Sequence, residues 1–157
     1  MTLARAAALA LASACAAVSA HPAGSCELHL RDPRSGRELQ RLALDPLAPE
    51  LRIAFEHSVL GTTVVDRYRF TPAPVLVEEE FEGEGYGLAA APGPGERLER
   101  VGTRQRLILS RPVDPLVVRP SAGTRTRLLR PDGELQLASL GAPSVAFEAV
   151  GCTPLPR

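Results

Sequence analysis

Apolar residues return at every second position in short runs, and Pro and Gly cut those runs apart. Leu28 and Leu30 alternate with Glu27, His29 and Arg31, so His29 is expected to point outward into solvent between Glu27 and Arg31. Leu51, Ile53, Phe55 and His57 share one face against Arg52, Ala54 and Glu56, and Val64, Asp66, Tyr68 and Phe70 stand against Val65, Arg67 and Arg69. A period of two belongs to an extended strand with one buried face, because successive side chains leave opposite sides of the pleat. Leu39, Leu42 and Leu44 continue the series with one slip near Gln40 and Arg41, which predicts a bulge. A fifth strand is predicted over 75–81. Shorter ones follow around Leu107–Leu109, Leu116–Val118, Arg125–Leu129, Leu135–Leu137 and Val145–Val150. Asp32-Pro33-Arg34-Ser35-Gly36 and Pro131-Asp132-Gly133 carry turn chemistry, and 83–95 is too rich in Gly and Pro for regular structure. Nothing after residue 20 has helical periodicity. About nine or ten short strands with frequent turns predict a single-domain, all-β, antiparallel sandwich or barrel.

Composition narrows the function classes. The chain has 157 residues, 45% hydrophobic and 23% charged, enough apolar material for one packed core. Aromatic residues make up 4% with no Trp, which argues against a sugar-stacking lectin or a single-strand nucleic-acid platform. A formal net charge of +0 leaves no global field for nucleic acid or anionic lipid. All 18 basic residues are Arg. That usage fits either planar recognition of carboxylates and phosphates or an Arg-, Ala-, Pro- and Gly-favouring codon bias. Glu78, Glu79, Glu80, Glu82 and Glu84 form an acidic run, and the stretch 97–130 is rich in Arg. The two are expected to lie on solvated faces and to pair with one another.

Residues 1–20 read as a secretory signal peptide, leaving 21–157 as the mature β domain. Arg5 supplies the charge, Ala6 to Val18 the apolar stretch, and Val18-Ser19-Ala20 the small residues at a cleavage site. The stretch is too short to span a membrane, and no later segment approaches that length. Cleavage after Ala20 places the product in the periplasm or outside the cell. Ala12-Ser13-Ala14-Cys15 offers an alternative, a lipoprotein anchored at Cys15. With Cys15 removed, Cys26 and Cys152 remain near the two ends of the domain, and a disulfide between them is expected. His21 would become the N-terminal residue, which opens a copper-binding reading through its amine and ring, although only His29 and His57 could assist it.

Motifs of known chemistry are missing: no Gly-x-Ser-x-Gly, His-Glu-x-x-His, Cys-x-x-Cys, phosphate loop or dinucleotide fingerprint. Ser58 follows His57 directly, so in regular strand geometry the two point apart. His57 and Asp66 are expected on the apolar faces of two adjoining strands, opposite or diagonal to one another. An inward carboxylate needs a partner, and an imidazole suits it. Glu78 joins them only if a bulge interrupts the three consecutive Glu. The pair reads either as a hydrogen bond fixing the hairpin register or as a polar pocket. In the pocket reading, Gly85 and Gly87 bring backbone amides toward a ligand anion. An enzyme using His57 and Asp66 as acid and base is the rival.

Phe55-Glu56-His57-Ser58-Val59, Tyr68, Leu76-Val77-Glu78-Glu79-Glu80-Phe81 and Gly85-Tyr86-Gly87-Leu88 together resemble the DUF1850 family of small exported or membrane-tethered proteins. Gly83 and Ala89 depart from its usual Ser and Pro, and no His stands near Thr124–Arg127. That last departure counts against a multi-His metal site, so no metal and no cofactor are expected. The resemblance implies no activity. It implies a setting beside TRAP-type transporters, with their subunits or an extracytoplasmic solute-binding protein as partners.

Overall fold

The computed structural model describes residues 25–59, 61–70, 73–83, 92–121 and 123–152. Eleven strands appear among them: β1 (Glu27–Arg31), β2 (Glu38–Ala43), β3 (Glu50–Glu56), β4 (Thr63–Phe70), β5 (Pro74–Glu82), β6 (Arg97–Val101), β7 (Arg104–Pro112), β8 (Leu116–Val118), β9 (Arg127–Arg130), β10 (Gly133–Gln136) and β11 (Val145–Val150). They form a four-stranded sheet, β2-β1-β11-β8, and a seven-stranded sheet, β10-β9-β3-β4-β5-β7-β6, with every pairing antiparallel. Both sheets keep open edges. The architecture is therefore a β-sandwich and not a barrel.

The alternation read from sequence becomes the core. Leu28 and Leu30 of β1, Val145 and Phe147 of β11, and Leu116 of β8 pack against Leu51, Ile53, Tyr68, Phe70 and Leu128 of the larger sheet. A fully buried side chain of this kind contributes about 1.5–3 kcal/mol. Leu137 closes the core from a single 3-10 turn, Leu137–Leu140, where the sequence predicts the end of a strand. The predicted slip in β2 falls at Leu39, since Leu30 pairs with Gln40 and Arg31 with Glu38.

Two further readings need correction. β6 was not foreseen, because at an edge its charged Arg97, Glu99 and Arg100 need no alternation and only Leu98 meets the apolar Leu107. His29, expected in solvent, is 4% exposed. Glu27 (3.2 Å to Nε2) and Glu38 (3.4 Å to Nδ1) close over its ring on the outer face of the smaller sheet.

The acidic run and the Arg-rich stretch do meet, on the outer face of the larger sheet. Arg67 donates to Glu50 and Glu78, both at 3.0 Å. Glu80 lies 2.6 Å from Arg104 and 3.5 Å from Arg106.

Cys26 and Cys152 form the expected disulfide across 126 positions of sequence. The bridge extends the β1–β11 ladder beyond its last rung, Glu27 opposite Val150. Between them Gly151 holds a positive φ of 73°, and a Cβ there would lie 2.3 Å from the Ser25 carbonyl oxygen. Only glycine fits that approach. Replacing both cysteines with Ser should lower unfolding free energy by up to about 4–5 kcal/mol. Urea denaturation of the oxidised protein and the double variant checks it, and equal midpoints would contradict it.

Candidate functional site

β5 changes face partway along its length, and this places the site. Phe70 pairs with Pro74 and Tyr68 with Leu76, but Arg67 pairs with Glu78, so Val77 is an extra residue bulged out of the ladder with β4. Before the bulge Pro74 and Leu76 share the face of Tyr68 and Phe70. After it that face carries Glu79, opposite Asp66, and then the fully buried Phe81. Two carboxylates therefore meet on one rung on the core-facing side of the larger sheet.

Few groups satisfy them. The Tyr68 hydroxyl donates to Asp66 Oδ2 at 2.9 Å, as residues two apart on one strand face can. Asp66 Oδ1 and Glu79 Oε1 are buried and have no hydrogen-bond partner. Leaving a carboxylate charged in such a place is unfavourable, so the proton is held instead. Burial, reinforced by the charge of Glu79, pushes Asp66 up to about 7, against the pull of the Tyr68 hydrogen bond. Burial also raises Glu79, with Arg111 and His57 drawing it back down. The Tyr68 phenol is raised by burial and then by the Asp66 carboxylate it faces. Arg111 is itself clamped by Glu96, Nε to Oε1 and Nη2 to Oε2, both at 2.7 Å. That clamp and a hydrogen bond from the Gly93 amide hold Glu96 below the usual carboxylate range.

The structure redistributes the residues singled out from sequence. Asp66 faces the interior as expected, but its partner on β3 is Ile53, not His57. The β3–β4 connection is closed by the His57 amide donating to the Thr62 carbonyl at 2.9 Å. Gly61 supplies the left-handed residue it needs, with φ 64°. His57 consequently sits four residues beyond the rung of Asp66, about 13 Å along the strand. Its Nδ1 accepts from the Val59 amide at 3.3 Å. Ser58 is exposed in that turn. Glu78 lies on the opposite face from Asp66, paired with Arg67 and Arg106. No bulge interrupts the three Glu; the one present lies before them, at Val77, and brings Glu79 and not Glu78 to Asp66. Gly85, Gly87, Cys15, His21 and the signal segment lie outside the described residues.

Tyr68 was readable as a partner, two positions from Asp66 on one face. Glu79 depends on the bulge, and Arg111 and Glu96 on pairings of distant strands, for which the sequence carries no local mark. Among the described residues no group of three or more His, Cys, Asp or Glu is placed to hold a metal ion. A separate cleft of about 390 Å³ opens between the sheets beside β2, between Leu28 and Leu42 on one side and Leu51 and Leu128 on the other. Neither Asp66 nor Glu79 lines it.

Fold and cluster together define a two-sheet β domain, tied by a disulfide, with a carboxylate pair turned into its sandwich. The chain belongs to the DUF1850 family, a domain of unknown function whose profile matches residues 51–137. The matched span contains Asp66, Tyr68, Glu79, Glu96 and Arg111, whereas both bridged cysteines fall outside it. No curated protein and no solved structure matches the sequence.

Tyr68→Phe removes the one donor to Asp66 seen among the described residues and should destabilise the domain by about 1–2 kcal/mol. Because that hydrogen bond favours the ionised form, the Asp66 midpoint should move higher still. Carboxyl-carbon NMR titration of both proteins reads the shift, and a lower midpoint in the variant would refute the assignment.

Proposed function

We propose that this chain is an exported, non-catalytic β-sandwich binding module, an accessory of a TRAP-type transporter system. Its recognition group is the Asp66–Glu79 rung. The observation that carries the reading is the buried, unpartnered oxygen on each of two facing, partly buried carboxylates. A bound group with hydrogen-bond donors or positive charge would satisfy both. Export is supported by the signal-like residues 1–20 and by a disulfide of the kind that persists in oxidising compartments. Among the described residues no helix is long and apolar enough to cross a membrane, which is compatible with a mature domain 21–157. The transporter setting is supported by the family resemblance, and its partners are the membrane subunits or the extracytoplasmic solute-binding protein.

An acid–base enzyme built on His57 and Asp66 is the rival: both side chains would have to reach one substrate, and the strand register gives them no shared-rung contact, since Asp66 pairs with Ile53. The binding reading needs no such contact.

Affinity capture from the native cell envelope tests it, comparing the natural chain with an Asp66→Asn, Glu79→Gln double variant. Transporter components should come down with the natural chain and be lost with the variant, both proteins giving the same circular dichroism spectrum. Equal recovery by both would remove the rung from recognition, and recovery of no transporter component would remove the setting. Intact mass of the captured chain should match cleavage after Ala20; an acylated Cys15 at the N-terminus would make it the lipoprotein.

A further inference from the structure

We propose that the Asp66–Glu79 rung is a proton-operated lock on the β4–β5 pair, closed while a proton sits on the rung and loosened when both carboxylates ionise. The lock adds regulation to the recognition site proposed above and rests on the same two side chains. It requires no ligand, so its test runs on purified protein alone and can fail or succeed independently of partner capture.

The geometry carries it. Asp66 and Glu79 are cross-strand partners on the core-facing side, where side chains directly opposite stand about 4.5–5.5 Å apart at Cβ. Like charges on such a rung repel, and here each carboxylate keeps one buried oxygen without a donor. The surroundings do little to disperse that charge. From β3 the residue opposite Asp66 is the apolar Ile53, and from β7 the residue opposite Glu79 is the apolar Leu107. On β4 itself the Tyr68 hydroxyl donates to Asp66. Arg111 and His57 both favour ionised Glu79, and Arg111 is shared with Glu96. The Arg111 guanidinium thus biases the rung toward charge on Glu79 and the proton on Asp66. Ionising Asp66 as well would put a second negative charge on the rung, with the Tyr68 hydroxyl as its hydrogen-bond donor among the described residues.

The direction of the pH effect follows from where the proton is held. Folding raises Asp66 from its ordinary value to about 7. At acid pH both folded and unfolded chains carry the proton, and the lock contributes fully. From about pH 4 upward the unfolded chain releases it while the folded chain keeps it, so stability declines toward neutrality and levels off above about pH 7.

Thermal melting of the natural chain between pH 4.5 and 8.5 is the experiment, with Asp66→Asn as its partner. Asn has nearly the shape of Asp and no charge to lose. The natural chain should lose about 5–10 °C of Tm across this range, and the variant should lose markedly less. A flat profile for the natural chain, or a parallel fall in the variant, overturns the proposal. If the variant does not fold, carboxyl-carbon NMR of the natural chain decides: an Asp66 midpoint near neutrality supports the lock, and one in the ordinary carboxylate range ends it.

Discussion

A strand with one face in a core has no freedom of register, because a slip of one residue turns every side chain to the wrong side. β5 violates its own alternation and still pairs on both sides, with β4 and with β7. The extra residue at Val77 makes this possible. It lets Leu76 and Phe81, an odd number of positions apart, both face the interior, and the residue carried inward with Phe81 is Glu79. The candidate site thus follows from a backbone irregularity. Without the bulge Asp66 would face a different Glu, and the outward pairing of Glu78 with Arg67 would be lost.

The two faces of the larger sheet treat charge differently. On the outer face Glu50, Glu78 and Glu80 are matched by Arg67, Arg69, Arg104 and Arg106 at distances of 2.6–3.7 Å. Glu80 is buried there and needs its two guanidinium partners, whereas the more exposed pairs contribute little singly. On the inner face no guanidinium among the described residues donates to Asp66, and Arg111 acts on Glu79 through its charge alone. The same side-chain chemistry is a routine surface on one side and a source of conditional stability on the other.

Much of the fold was legible in the sequence because it rests on local alternation and punctuation. Leu28/Leu30, Leu51/Ile53 and Tyr68/Phe70 declare their strands and their buried faces, and Pro131-Asp132-Gly133 declares a hairpin. The disulfide followed from the scarcity of cysteine. The inward placement of Asp66 was equally readable. Its partner was not, because cross-strand identity depends on turn length and bulge position, which single residues specify weakly. The β3–β4 connection closes at His57 and Thr62, which pairs Asp66 with Ile53 and leaves His57 away from it. One bulged Val exchanged Glu78 for Glu79. His29 was misplaced for a related reason: alternation says which face a side chain takes, but not whether neighbouring carboxylates will cover it.

The pairing of β1 with β11 joins the earliest described strand to the latest. β3, β4 and β5 can assemble as a meander from contiguous chain, but β1 has only β2 beside it until residues 145–150 become available. Contacts this distant are slow to form, since most of the intervening chain must be ordered or looped out before they are rewarded. A chain emerging from its N-terminus therefore completes the larger sheet while the smaller one is a lone hairpin with half its apolar face uncovered. Final closure of the sandwich waits on the last strand.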